Sequence, residues 1–540
     1  MLSKEQPTYS NWLRILLVIL LVMGVFFRFA NLDKKLYWND EVATSIRISG
    51  YSFKEIQQSA LQGNEMTVED WRKYQYPNPE KGLIDLVNGL ATEEPQLPPL
   101  YFALNRFWVQ LFGNSVAVTR SFSAAASLLA FPCIYWLCQE LFASSLTGWV
   151  AMALIAISPL HLLYAQEARP FSLWIVTILL SSAALLRAMR VKTKLSWIVY
   201  AFTLVLGFYT YLLSGLVAIG HGIYVIVNER FRLTNQVKAY LLASLTGTIV
   251  FIPWIFAILS GFSEVSETTD WSKEKVHLPA LMRTWILNLS RVFFDVNQSF
   301  LSRNFLIYIF IIFLVGYAVY FLCRQTPKPA WLFVLTLIGV TAVALALPDV
   351  ISSGKRSAVI RYLIPSYLGM QIAIAYLFAT NISALSLKNW QRKLWQIALI
   401  ILLFSMGVIS CAVSYQSESW WNRYRQTYFP EIAQVIKQVE RPVVLAHWYN
   451  LLSLRYIVKP DVRLVSFYLQ PVEKKPSNPL KEVKDLFIYL PPEGMKEFLE
   501  KNYNYRLVKT YSWKGESDPV KKVGSTVLQL SKQGKVNSER

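Results

Sequence analysis

About eleven segments of this 540-residue chain stay apolar for 14 to 22 residues, the pair 197–212 and 214–227 being short, and about 20 such residues carry a helix across the hydrocarbon core of a bilayer. They read as 12–30, 116–137, 148–163, 171–187, 197–212, 214–227, 238–259, 304–323, 330–347, 361–380 and 395–414. In lipid every backbone N–H and C=O must find its partner within the segment, so such runs fold as helices. The chain is therefore expected to be a polytopic α-helical membrane protein. The first run is too long for a signal-peptide core. It also lacks a small-x-small cleavage site before Asn31-Leu32-Asp33, so it reads as a retained span.

Composition agrees. Hydrophobic residues make up 54% and charged residues 16%, against roughly 25% charged in soluble chains. A net charge of +20 would suggest nucleic acid in a soluble protein. Here the cations collect in short loops: Arg187, Arg190, Lys192 and Lys194; Arg230, Arg232 and Lys238; Arg324 and Lys328; Lys388, Arg392 and Lys393. With the spans above, all four loops fall on one side, which the positive-inside bias makes cytoplasmic. No nucleic-acid partner is expected. The expected location is the plasma (inner) membrane, with the N-terminus cytoplasmic and the C-terminal domain extracytoplasmic. The four cysteines lie inside or at the ends of apolar segments, and no disulfide framework is expected.

This divides the chain into a transmembrane domain, 1–415, with an external loop 31–115, and an extracytoplasmic domain, 416–540. Pro98 and Pro99 open, and Gly113 closes, a short apolar helix that reads as lying along the interface, with Arg106 in its middle. The stretch Tyr51–Glu94 reads as loop with short helices. In the tail, helical periodicity over 429–439 and 495–501 alternates with strand-like runs at 442–446, 462–467 and 485–490. That alternation predicts a small α/β domain. The last dozen residues read as disordered.

Three clusters carry candidate chemistry. Asp40 and Glu41 follow the first span by about ten residues, beside Tyr37 and Trp38, which suit an aromatic belt at the membrane surface. A carboxylate there can meet a substrate with a lipid tail and a polar head. Spacing alone fits a helix start better, with Asn39 capping and two acids in the first turn. The end of the third span gathers His161, Tyr164, Gln166, Glu167 and Arg169. Charges at a membrane edge tend to face a cavity, though Glu167 and Arg169 can also pair with each other. Lys355, Arg356 and Arg361 form an external basic cluster that the positive-inside bias does not explain. A phosphate or an anionic lipid headgroup is its natural partner. The histidines are scattered, and Arg120 suits an interfacial anchor.

In order within about the first 370 residues, these pieces resemble the GT-C membrane glycosyltransferases, specifically glycosyltransferase family 39, the bacterial protein O-mannosyltransferase and aminoarabinose-transferase group. The matching residues are Trp38-Asn39-Asp40-Glu41, Leu97-Pro98-Pro99-Leu100-Tyr101, Phe112-Gly113, Arg120, Ser158-Pro159 to Arg169-Pro170, and Arg361-Tyr362-Leu363-Ile364-Pro365. One departure is Leu97, where many relatives carry histidine, so that residue's role, metal contact included, does not carry over. No cofactor is assigned and a divalent metal is left open.

The resemblance implies transfer of a sugar from a polyprenyl-phosphate donor to a hydroxyl acceptor on the external face. Asp40 would be the general base and Glu41 its partner. Arg169, Lys355, Arg356 and Arg361 would hold phosphate, and Tyr101, His161, Tyr164, Gln166 and Glu167 would line the cavity. The acceptor, whether glycan, lipid or protein, is not specified. A flippase of lipid-linked sugars and a non-catalytic scaffold are the competing classes. A transporter should carry charges or broken helices near mid-membrane, often in repeated halves, and this chain gathers its charges on one face.

Overall fold

Apolar runs in lipid close their hydrogen bonds along the helix, and the fold follows that rule. A computed structural model describes residues 11–61, 66–297, 305–383, 390–467, 483–518 and 521–532. Among them, eight helices are long and apolar enough to cross a bilayer: Asn11–Phe29, Val116–Phe142, Phe171–Val191, Asn235–Ser260, Phe305–Gln325, Lys328–Ser352, Ile360–Ile382 and Gln396–Gln416. A further apolar pair, Ser145–Ala156 and Pro159–Ala165, is bent by 63° at its break and, counted as one span, makes a broken crossing. The two shorter expected segments are helices Lys194–Thr210 and Ser214–Asn228. Together these helices account for every apolar run of the sequence, and the protein is a multi-pass membrane protein.

The chain divides into two compact units. The first comprises Met1–Leu32, Leu90–Leu104 and Ala117–Gln416; the second comprises Asp33–Gly89, Asn105–Val116 and Ser417–Arg540.

In the first unit the broken crossing has an identifiable cause. Pro159 has no N–H to offer the carbonyl of Ile155, four residues earlier, so the hydrogen-bond ladder stops there. The buried guanidinium of Arg28, from the first span, takes over. It donates to Ile155 O at 2.9 Å and to Ala156 O at 2.5 Å. It also donates to Gly24 O and to Ser127 Oγ. Cys411 Sγ donates to the next carbonyl, Ile157 O, at 3.2 Å. Close approach is needed for this: a Cβ on Gly24 would lie 2.6 Å from Ala156 O. On the side where the sequence places the basic loops, Glu140 accepts from both Arg190 Nε and Nη2, with Arg187 at 3.6 Å.

The second unit contains a five-stranded sheet in the order β2-β1-β3-β5-β4. The strands are β1 (Val443–His447), β2 (Arg463–Phe467), β3 (Asp485–Tyr489), β4 (Tyr505–Asp518) and β5 (Lys521–Lys532). The first pairs in parallel with both β2 and β3; β5 runs antiparallel between β3 and β4. Val443–Ala446 are all buried, as a parallel strand covered on both faces requires. Helices Phe429–Ile436, Trp448–Leu454 and Met495–Tyr503 complete the α/β tail. Residues of the loop that follows the first span join it: Met66 bridges Leu464.

Part of the segment expected to be disordered is a strand. Gln529–Lys532 belong to β5, because Val527, Leu528 and Leu530 are buried between its neighbours. Residues 533–540 lie outside the described residues.

Candidate active site

In the second unit, the acidic pair opens helix Asn39–Ser49. The residue ahead of it is Trp38, whose side chain has no oxygen to cap with; Glu41 N and Val42 N donate to Trp38 O. Asn39 is therefore inside the first turn and is not the cap. Its Oδ1 accepts from Ser453 Oγ at 2.5 Å, and its Nδ2 donates to Asn450 Oδ1 at 3.4 Å. Its backbone N donates to Gln426 Oε1 at 2.9 Å, and its backbone O accepts from Tyr449 Oη. The acids do occupy the first turn, where the helix dipole favours negative charge. Gly50 ends the helix in the left-handed region, φ 87°, its N–H returning to Arg47 O.

The two carboxylates sit in different surroundings. Glu41 is fully buried and accepts from Arg423 Nη1 at 3.2 Å, in an ion pair whose side chains are both 0% exposed. Asp40 is only half-buried. Its carbonyl accepts from Thr44 Oγ1. Arg423 also lies over the Trp38 ring, 5.2 Å from its centroid.

The expected aromatic belt is not found here. Tyr37 and Trp38 are 2% and 4% exposed, and Tyr37 Oη bonds Ser45 Oγ at 2.5 Å. Protein, not headgroups, covers these rings. Arg106, in helix Leu100–Phe112, is likewise buried and donates to Ile48 O and Lys81 O. Burial lowers its hold on the proton.

In the first unit, every residue from Ser158 to Pro170 is buried. Past the broken crossing the chain turns, with Arg169 N donating to Glu167 O at 2.8 Å. Gln166 Nε2 binds two carbonyls at the end of the first span, Phe27 O at 2.7 Å and Ala30 O at 3.0 Å. Tyr101 Oη bonds Ser123 Oγ at 2.7 Å, and Ser123 Oγ reaches Arg169 O at 3.4 Å. Tyr164 packs edge-on against Phe171, and Arg361, half-buried, lies 5.6 Å from the Phe171 centroid. The structure thus joins Tyr101, Tyr164, Gln166, Glu167, Arg169 and Arg361 in one neighbourhood. His161 turns to Gln371 Oε1 at 2.8 Å. Arg120 is no interfacial anchor: it is 0% exposed and donates to Leu32 O at 2.6 Å.

The basic cluster has local anions of its own. Lys355 is buried, pairs with the Glu274 carboxylate and lies 5.7 Å from the Trp271 ring. Asp349 accepts from Ser357 N and Oγ and pins the same loop. Arg356 is exposed.

Sequence reasoning passed over Arg423, Glu274 and Arg28. The signals available were a cation among aromatics in Trp420-Trp421-Asn422-Arg423-Tyr424 and a single arginine inside an apolar run. Among the described residues, no group of three or more His, Cys, Asp or Glu is arranged to hold a metal ion.

Residues 96–256 match the family described as dolichyl-phosphate-mannose-protein mannosyltransferase. No curated protein matches the chain by sequence. Solved structures match in fold. ArnT from Cupriavidus metallidurans bound to undecaprenyl phosphate gives a TM-score of 0.52 at 11% identity, over 96% of this chain and 98% of that one. ArnT in the apo state gives 0.52 at 13% identity with the same coverage. The Archaeoglobus fulgidus oligosaccharyltransferase gives 0.49 at 14% identity, over 94% of this chain and 70% of its own.

Proposed function

We propose that this chain, which matches a mannosyltransferase family over residues 96–256 and ArnT in fold, is a GT-C membrane glycosyltransferase that transfers a sugar from a polyprenyl-phosphate donor to a hydroxyl acceptor at the extracytoplasmic membrane face. The observation that carries the reading is the unequal burial of the acid pair. Glu41 is sealed against Arg423, and Asp40, half-buried beside it, keeps access to a reactant.

The chemistry needs few groups. The acceptor oxygen attacks the anomeric carbon, the bond from that carbon to the phosphate oxygen breaks, and the lipid phosphate departs with the electron pair. That leaving group is already an anion, so no acid need protonate it, unlike the leaving oxygen in glycoside hydrolysis. Asp40 takes the hydroxyl proton as general base. Cations stabilise the charge that gathers on the phosphate. Arg169 and Arg361 serve this from the neighbourhood of Tyr164 and Phe171, and Lys355 and Arg356 are the further candidates. A single displacement inverts the anomeric centre. The undecaprenyl phosphate bound to ArnT, a protein of the same fold, supports a polyprenyl-phosphate donor here.

The test is lipid and glycan analysis of a deletion strain beside one carrying Asp40→Asn. Loss of the same glycan in both supports the transfer and the base together. Full transferase activity in Asp40→Asn membranes would refute the base assignment.

A further inference from the structure

We infer that Arg423 is a positioning residue for Asp40, acting through Glu41, and that Gln426, Asn450 and Ser453 hold the other neighbour of Asp40 to the same end. The inference rests on the reading of Asp40 as the base and gives the tail segment 417–454 a part in the reaction.

Three residues around Asp40 are gripped from that segment. Trp38 lies under the Arg423 guanidinium. Asn39 is bound through its N–H, its carbonyl and both polar atoms of its side chain, by Gln426, Tyr449, Ser453 and Asn450 in turn. Glu41 is bound by Arg423. Further back, Leu36 N donates to Glu418 O at 2.9 Å. The backbone on either side of Asp40 is therefore fixed by groups almost 400 positions away in sequence, with separations of 387 for Asn39–Gln426 and 382 for Glu41–Arg423.

Stability alone does not account for this arrangement. Taking two charges out of water costs about as much as their attraction returns, and a well-packed apolar pair at such a site is often as stable. A buried ion pair does something an apolar pair does not: it has a direction and sets the register of one element on another. A general base needs that, because it must lie within hydrogen-bond reach of the proton it removes. The arrangement also separates the two acids. Glu41 is buried against Arg423, and Asp40 beside it is half-buried.

The test uses the full-length protein in membranes and three variants: Arg423→Lys, the apolar pair Glu41→Leu with Arg423→Met, and the pair Gln426→Ala with Ser453→Ala. Three quantities are read: kcat with whichever undecaprenyl-phosphate-linked pentose or hexose the wild type turns over, affinity for undecaprenyl phosphate itself, and the thermal midpoint. A displacement of the base by about 1 Å costs on the order of a hundredfold, so kcat should fall between about tenfold and a hundredfold in both double variants. Lipid affinity should stay at the wild-type value. Arg423→Lys should recover part of the rate.

Wild-type kcat in either double variant, or a loss that only tracks the amount of folded protein, would overturn the proposal. Should the apolar pair fail to fold, the Gln426→Ala/Ser453→Ala variant decides, since it leaves the ion pair intact. Asp40→Asn separates the two levels. An active Asp40→Asn sinks the base; an inactive Asp40→Asn beside fully active double variants sinks only the positioning.

Discussion

Replacing Arg28 by methionine should destabilise the protein through the bend it supports. The substitution keeps a long apolar side chain in the first span and removes both donors that serve the carbonyls of Ile155 and Ala156. Pro159 cannot restore the first of these bonds. Each buried group left without a partner costs about 1–3 kcal/mol, so the two carbonyls together cost about 2–6 kcal/mol. Relief of the buried guanidinium's desolvation offsets part of that sum. Arg28→Lys, which can still donate to one carbonyl, should fall between. The assay is thermal unfolding of the detergent-solubilised protein, with hydrogen exchange read over 155–169. Exchange there should rise more than in the other spans, because Tyr164, Gln166, Glu167 and Arg169 follow directly from the bend. A loss in Arg28→Met below about 0.5 kcal/mol, the scale of an ordinary surface change, would refute the claim that this side chain completes the broken crossing.

Gly24→Ala places a methyl 2.6 Å from Ala156 O, and overpacking of this kind should cost about 1–3 kcal/mol in the same unfolding assay. Lys355→Met removes a buried cation and leaves Glu274, whose side chain is 65% exposed, in contact with water. Stability should change little. Should Lys355 also hold donor phosphate, loss of a charge-assisted bond of about 1.5–3 kcal/mol raises donor KM roughly tenfold or more, and an unchanged KM assigns the lysine to Glu274 alone. Thr67→Ala breaks the capping box in which Thr67 Oγ1 accepts from Asp70 N and the Asp70 carboxylate accepts from Thr67 N. The loss should be about 1 kcal/mol, seen as faster proteolysis near Arg72. Those bonds from Thr67 hold Asp70 below its ordinary pKa of 3.8. Its stabilisation is therefore complete above pH 3.8 and is lost as pH falls through the depressed value. The wild type and Thr67→Ala should converge in acid.

The membrane part was legible because lipid reduces the options to helices, and hydropathy marks those directly. Even the short pair Lys194–Thr210 and Ser214–Asn228 was readable, because one span in its place would have to hold the 31 residues 197–227. The bend at Pro159 was not, because a proline in an apolar run does not say which distant side chain will take the freed carbonyls. In the tail, β1, β2 and β3 announce themselves as apolar runs. The hairpin β4–β5 does not, since Lys509, Ser512, Lys514, Lys521 and Lys522 interrupt it with charge and polarity. Helix Trp448–Leu454 was hidden for a different reason, being continuous with an apolar strand. At the candidate site, residue types and order pointed to Asp40-Glu41. The difference between the two acids lay in a contact with Arg423, which no local pattern encodes. Tyr37, Trp38 and Arg106 show the same limit in reverse: their composition suits an interface, and their neighbours bury them.

The wide sequence separation between Glu41 and Arg423 also orders events in time. At translation rates of roughly 5–20 residues per second, the 382 positions between them take about 20–80 s to synthesise. Throughout that interval the turn bearing Asp40 has emerged without its clamp. The sheet that follows is later still, because β5, last among the described strands, inserts between β3 and β4. The nascent chain thus carries its acid from early on but gains a fixed acid only once residues 423–453 have been made. On the proposed reading of Asp40, its positioning must wait for the last of those residues to be made.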